Sequence, residues 1–187
     1  MNTIFRTGLS AFFALMVLAH TAVGAQTRGL PSNDQPVLSV GGRINPNASA
    51  NSFDLAATKR PRIANGLLRF DLQTLESLPQ HKFTTLTPWG DKPIEFSGPL
   101  LRDVLAVAGA NGHNIRATAI NDYRISIPVE DAMRFDVIVA TRMNGERMSV
   151  RDKGPLFVVY PFDSQAVLKQ ARYYERSIWQ LKSLEVE

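Results

Sequence analysis

Beyond its first 25 residues the chain breaks into short apolar runs, each closed by proline, glycine or asparagine. That punctuation restricts the fold more than any other feature. Runs this short suit strands, and they leave little room for long helices. One stretch carries a full helical stripe: Leu100, Leu101, Val104, Leu105 and Ala108 share a face at helical spacing. Pro99 is expected as its first residue and Gly109 as the residue just past its end. A shorter helix is expected over Leu72–Leu78, capped by Asp71 and stopped by Pro79, and another over Ala166–Arg172. Strands are expected at Val37–Ile44, Ser52–Ala56, Lys82–Thr87 and Ile94–Ser97. Further strands are expected at Ile115–Ile120, Arg124–Ile127, Leu156–Tyr160 and Ser177–Val186, the last with Trp179, Leu181, Leu184 and Val186 inward and Ile178, Gln180 and Lys182 on the other side. Asp136–Met143 alternates and runs into Asn144-Gly145, the strongest short hairpin signal. Residues 47–65 give no clear pattern. Short strands mixed with single helices point to an α+β domain and away from a doubly wound sheet.

The first 25 residues read as a cleavable export leader. Arg6 precedes the apolar stretch Gly8–Ala19, and Val23-Gly24-Ala25 supplies small residues before a cut at Gln26. The apolar stretch is short for a bilayer span. Residues 26–36 are polar, with glycine and proline, and read as a flexible leader. Residues 37–187 then make one domain of a size that builds its own core. The chain contains no cysteine, which excludes thiol chemistry, disulfide switching and cysteine-based zinc sites together. A net charge of +4 is mild. Lys59-Arg60-Pro61-Arg62 is its main basic cluster, read as a solvated loop before an acidic partner or lipid head group. No nucleic-acid motif interleaves basic and aromatic residues. No histidine pair has metal-ligand spacing, and no nucleophile elbow occurs.

Four segments follow one another in the C-terminal two-thirds: Asn121-Asp122-Tyr123-Arg124-Ile125-Ser126-Ile127-Pro128, Met143-Asn144-Gly145-Glu146-Arg147-Met148, Arg151-Asp152-Lys153-Gly154-Pro155-Leu156 and Ser177-Ile178-Trp179-Gln180-Leu181-Lys182. In order and spacing they resemble the molybdopterin-binding domain of the sulfite oxidase family. The resemblance implies a sulfite oxidase-like α+β fold, and it implies a tyrosine, here Tyr123, facing the metal centre. It also implies a cysteine on molybdenum near Trp89. Thr85 and Thr87 stand in that neighbourhood instead, and a hydroxyl does not replace a soft thiolate. By the same resemblance, the cofactor-phosphate loop is Arg151–Pro155, with Lys153 where the family has histidine. Phe157 and Ile178 stand where the family has arginine and lysine. Two of three phosphate-side cations are therefore apolar here.

The candidate site residues each carry two readings. Asp122 either accepts from the amino edge of a pterin or makes an Asx turn. Trp89 stacks on a flat heterocycle or closes the core under the Pro88-Trp89-Gly90 turn. Arg142 donates to the opposite side of a pterin, or pairs with Asp122, Glu146 or Asp152. Lys153 is a ligand contact or a surface turn. Asp163, Tyr174 and Arg176 cluster after the buried strand at Leu156–Tyr160, and only one of Tyr173 and Tyr174 can turn inward. Trp89, Asp122, Tyr123, Arg142, Asp152, Lys153, Asp163, Tyr174 and Arg176 thus form the expected set of pterin contacts.

The losses fall on the metal ligand and the phosphate cations, while the pterin framework is kept. This pattern is similar to small exported sulfite oxidase-fold proteins that bind a free pterin and regulate a membrane-bound enzyme of cyclic di-GMP signalling, and with it biofilm formation. The resemblance therefore implies a periplasmic, non-catalytic receptor that binds a reduced pterin without molybdenum. The partner would be the periplasmic domain of that enzyme. The alternatives are a molybdopterin-dependent oxidoreductase or its accessory subunit, and a pure interaction module whose pocket is filled by side chains.

Overall fold

A computed structural model describes residues 35–45, 47 and 59–187. The leader expected over 1–25, nearly all of the polar segment 26–36 and the strand expected over Ser52–Ala56 lie outside the described residues. In chain order the strands are β1 (Pro36–Gly42), β2 (Arg62–Ala64), β3 (Leu67–Asp71), β4 (Gln80–Thr85), β5 (Ile94–Pro99), β6 (Asn114–Ala119) and β7 (Arg124–Pro128). There follow β8 (Ile138–Ala140), β9 (Arg142–Met143), β10 (Glu146–Arg147), β11 (Phe157–Val159) and β12 (Leu181–Val186). The helices are α1 (Leu72–Ser77), α2 (Leu101–Val107), α3 (Val129–Arg134) and α4 (Ala171–Arg176).

The largest sheet runs β2-β3-β1-β12-β6-β7, and a second runs β10-β9-β5-β4, while β11 and β8 pair separately. Among the described residues only the β1–β12 pairing is parallel, with Val40 opposite Leu184. The chain's first and last described strands therefore lie side by side at the centre of the large sheet. Between the sheets lies one core, with Tyr160, Phe70, Phe96, Phe157 and Phe162 as its largest fully buried side chains. The mixed sheets with short helices make the α+β fold that the punctuation implies.

Several elements arise where the local chemistry directs. Asp71 caps α1: its carboxylate accepts from the Thr74 N–H at 2.7 Å and the Thr74 hydroxyl at 2.8 Å. Gly109 follows α2 at φ +59°, a left-handed position that suits glycine. Asn144 and Gly145 turn β9 into β10 with φ of 52° and 81°, the geometry of a two-residue hairpin.

Four expectations need correction. Pro99 ends β5 and is not the first helical residue, because strand-like pairing continues through Leu100, which bridges to Ile138, while Leu101 N–H donates to the Val137 carbonyl. Asp136–Met143 does not alternate. Residues 137–141 are all buried, since β8 pairs with β11 and packs against β5 within the core, and a strand with no solvated face loses its polar alternation. The helix expected at Ala166–Arg172 divides into a 3₁₀ turn, Ala166–Lys169, and α4, because Gln170 is extended. The last strand begins only at Leu181, with Ile178 buried and Trp179 exposed. Gln180 takes φ +53°, and this left-handed residue breaks the alternation that a continuous strand would keep. α3 was not anticipated, although Pro128 ahead of Glu130 and Asp131 is a start signal that complements the helix dipole.

Candidate functional site

Three loops converge at one end of the large sheet and enclose a cleft of about 340 Å³, at the small end of ligand-sized sites. The first is the β4–β5 connection. Pro88 presets the bend, and the Thr87 carbonyl accepts from Gly90 N–H at 3.4 Å. Trp89 stands at the apex and faces the cleft. This loop is fastened by Asp163, whose carboxylate accepts from Leu86 N–H at 2.6 Å and the Thr85 hydroxyl at 3.2 Å. Lys169 pairs with its other oxygen at 2.8 Å. The Leu86 N–H, then the Lys169 ammonium, hold the Asp163 carboxyl below the usual carboxylate range.

The second loop joins β6 to β7 and contributes Ala119, Asn121 and Tyr123. Asp122 sits at φ +66°, and the Asn121 side-chain oxygen accepts from Tyr123 N–H at 3.2 Å. The Asx turn is thus made by Asn121, one residue before the expected position. The third is the run out of α4, contributing Tyr174, Glu175, Ser177, Ile178 and Trp179. Trp179 is held by backbone on both sides: Phe157 bridges to it, Val158 N–H donates to the Ile178 carbonyl, and Gln180 N–H donates to the Lys153 carbonyl. A site of this kind, set on short loops braced by sheet, is pre-organised.

The cleft walls are aromatic. Trp89 and Trp179 meet edge to face at 5.4 Å, and behind them Phe157 lies 5.8 Å from Trp89. Tyr174 packs edge-on to Phe162 at 5.0 Å. Trp89 and Trp179 are each 38% exposed and Tyr123 is 51% exposed, so these rings offer apolar faces to a ligand. Lys153 leans over this wall. Its ammonium lies 5.1 Å from the Trp89 ring, 5.4 Å from Trp179 and 5.9 Å from Phe157, within cation–π range. Burial lowers its pKa. Its own φ is +72°, and the next residue, Gly154, touches the Met148 carbonyl where any Cβ would clash.

Of the expected contacts, the structure brings Trp89, Tyr123 and Tyr174 into the cleft and sets Lys153 against its wall. It places the others elsewhere. Asp122 points to solvent and pairs with Lys182 at 2.5 Å, and that hydrogen bond lowers its pKa. Arg142 donates to Glu76 and to the Gly145 carbonyl, beside Arg147, which donates to the same carboxylate. Asp152 accepts from the Ser149 hydroxyl. Arg176 pairs with Asp131 at 2.7 Å, and the buried Tyr160 hydroxyl donates to the same oxygen. Asp163 positions the Trp89 loop from outside the lining. Sequence reasoning missed Ala119, Asn121, Glu175, Ser177, Ile178 and Trp179 as lining residues. A turn asparagine was the available signal for Asn121, but for Trp179 the left-handed Gln180 hid the outward direction.

The family model described as the oxidoreductase molybdopterin binding domain matches residues 63–166, more than half of the chain. The chain belongs to this family. No curated protein matches it significantly. Within the family's sulfite oxidase-like fold, the residues present do not fit a molybdenum centre with a phosphate tail. No cysteine occurs in the chain. The Thr85 hydroxyl is committed to Asp163, and the Thr87 hydroxyl is buried without a hydrogen-bond partner. Neither supplies a thiolate. Phe157 and Ile178, at the positions where the resemblance implies phosphate-side cations, are buried apolar side chains.

Proposed function

We propose that this protein is a periplasmic pterin-binding receptor that regulates a membrane-bound cyclic di-GMP signalling enzyme and performs no catalysis itself. The observation that carries the reading is the cleft walled by two tryptophans and two tyrosines on the family's pterin-binding scaffold. Flat rings stack on such walls, each contact adding about 0.5–1.5 kcal/mol beyond burial. The absent thiolate and the apolar Phe157 and Ile178 support a free, reduced pterin over the molybdenum cofactor. The charge pattern of residues 1–25 supports export. The signalling partner rests on the resemblance to exported pterin-binding regulators.

Family membership favours one other reading, a molybdopterin oxidoreductase or its accessory subunit. Protein recovered from the periplasmic fraction separates the two. Its mass should begin at Gln26. Its heat extract should fluoresce blue after oxidation, with molybdenum far below one atom per chain. Near-stoichiometric molybdenum would establish the enzyme reading instead.

A further inference from the structure

Resting on the pterin reading of the cleft, we infer that Glu175 is its specificity residue and selects heterocycles that present a ring N–H beside an amino group. Among the described residues, Glu175 is the only charged one that lines the cleft itself, while the Lys153 ammonium lies against its tryptophan wall. It is exposed at the end of α4, and no cation among the described residues pairs with it. The neighbouring arginines are engaged elsewhere: Arg176 holds Asp131, and Arg172 lies over the Tyr173 ring at 5.1 Å. Two carboxylate oxygens are thus left open beside aromatic walls. A planar pair of donors fits them with two parallel hydrogen bonds. From another element, Asn121 complements this arrangement. Its oxygen is taken by Tyr123 N–H, which leaves its amide NH₂ to donate. One acceptor group and one donor group at an aromatic cleft match a flat ring with a donor edge and a carbonyl edge. A quaternary ammonium would use the carboxylate and leave the amide without a role.

The same geometry rejects the dioxo analogue, in which a carbonyl replaces the ring amino group. Its oxygen would face a carboxylate oxygen, and an unmatched polar pair of this kind discriminates strongly. The test is calorimetric titration of the ligand-stripped protein with dihydropterin and with dihydrolumazine, which differ at that one substituent. The parent should prefer dihydropterin by about 10- to 100-fold. Glu175→Gln should lose most of that preference, and Glu175→Asp should keep part of it, with circular dichroism showing all three folded. Equal binding of both ligands by the parent, or an unchanged preference in Glu175→Gln, would overturn the role of Glu175 while leaving the cleft as the pterin site. Binding of neither ligand by the parent would overturn the pterin reading and this inference with it.

Discussion

At the scale of single residues, the site is decided by which polar groups already have partners. Asp122, Arg142, Asp163 and Arg176 are each consumed by an ion pair within the protein. A committed carboxylate binds a ligand only by giving up its partner, whereas Glu175 gives up only water. The two classes respond differently to substitution. Asp122→Asn loses an exposed pair with Lys182, and such pairs contribute little. Its affinity for dihydropterin should stay within about twofold of the parent's. Trp89→Ala removes a stacking face and should weaken binding by about 2- to 10-fold. Calorimetry on both variants checks this, and a large loss in Asp122→Asn would return that residue to the site.

At the scale of elements, Glu76 ties α1 to the β9–β10 hairpin by accepting from Arg142 at 3.1 Å and from Arg147 at 3.1 and 2.5 Å. Burial pushes the Glu76 carboxyl up, but the Arg147 and Arg142 hydrogen bonds outweigh it, and its pKa falls below the ordinary 4.5. A depressed carboxyl contributes stability that is present above 4.5 and lost as pH falls through the folded value. Glu76→Gln should therefore cost about 1–3 kcal/mol at neutral pH. The gap to the parent should narrow as pH falls below 4.5 and close once the pH is beneath the folded value, read by urea unfolding. A gap of the same size at acid pH would show that the carboxylate's charge is not what matters.

Elements with local signals were legible in the sequence: the Asp71 cap, the α2 stripe, and the Asn144-Gly145 turn. The illegible ones depend on partners distant in the chain. β8 is buried by β5 and β11, Pro99 is drawn into a strand by pairing with Gln80 while Leu100 bridges to Ile138, and the path past Trp179 turns on the left-handed Gln180. The same division runs through the site. Trp89 and Tyr123 sit on turns that announce themselves by Pro-Trp-Gly and Asn-Asp-Tyr. The pairing of Asp122 with Lys182, 60 residues away, follows only from the fold.

At the scale of the whole molecule, the chain carries the family's domain without a cysteine, and Phe157 and Ile178 are buried apolar side chains. Phe157 links the core to the cleft. It packs against both tryptophans and so stiffens the aromatic wall. The chain contains two tryptophans, and both line the cleft, so their emission reports on it directly. The measurement that tests the central claim most directly is a titration of the ligand-stripped protein with dihydropterin, followed by tryptophan fluorescence. Saturable quenching at one equivalent is predicted, weakened in Tyr123→Ala and unchanged in His113→Ala, which lies at the opposite end of β6. Absence of saturable quenching, or quenching of equal strength in Tyr123→Ala, would contradict a pterin site in this cleft.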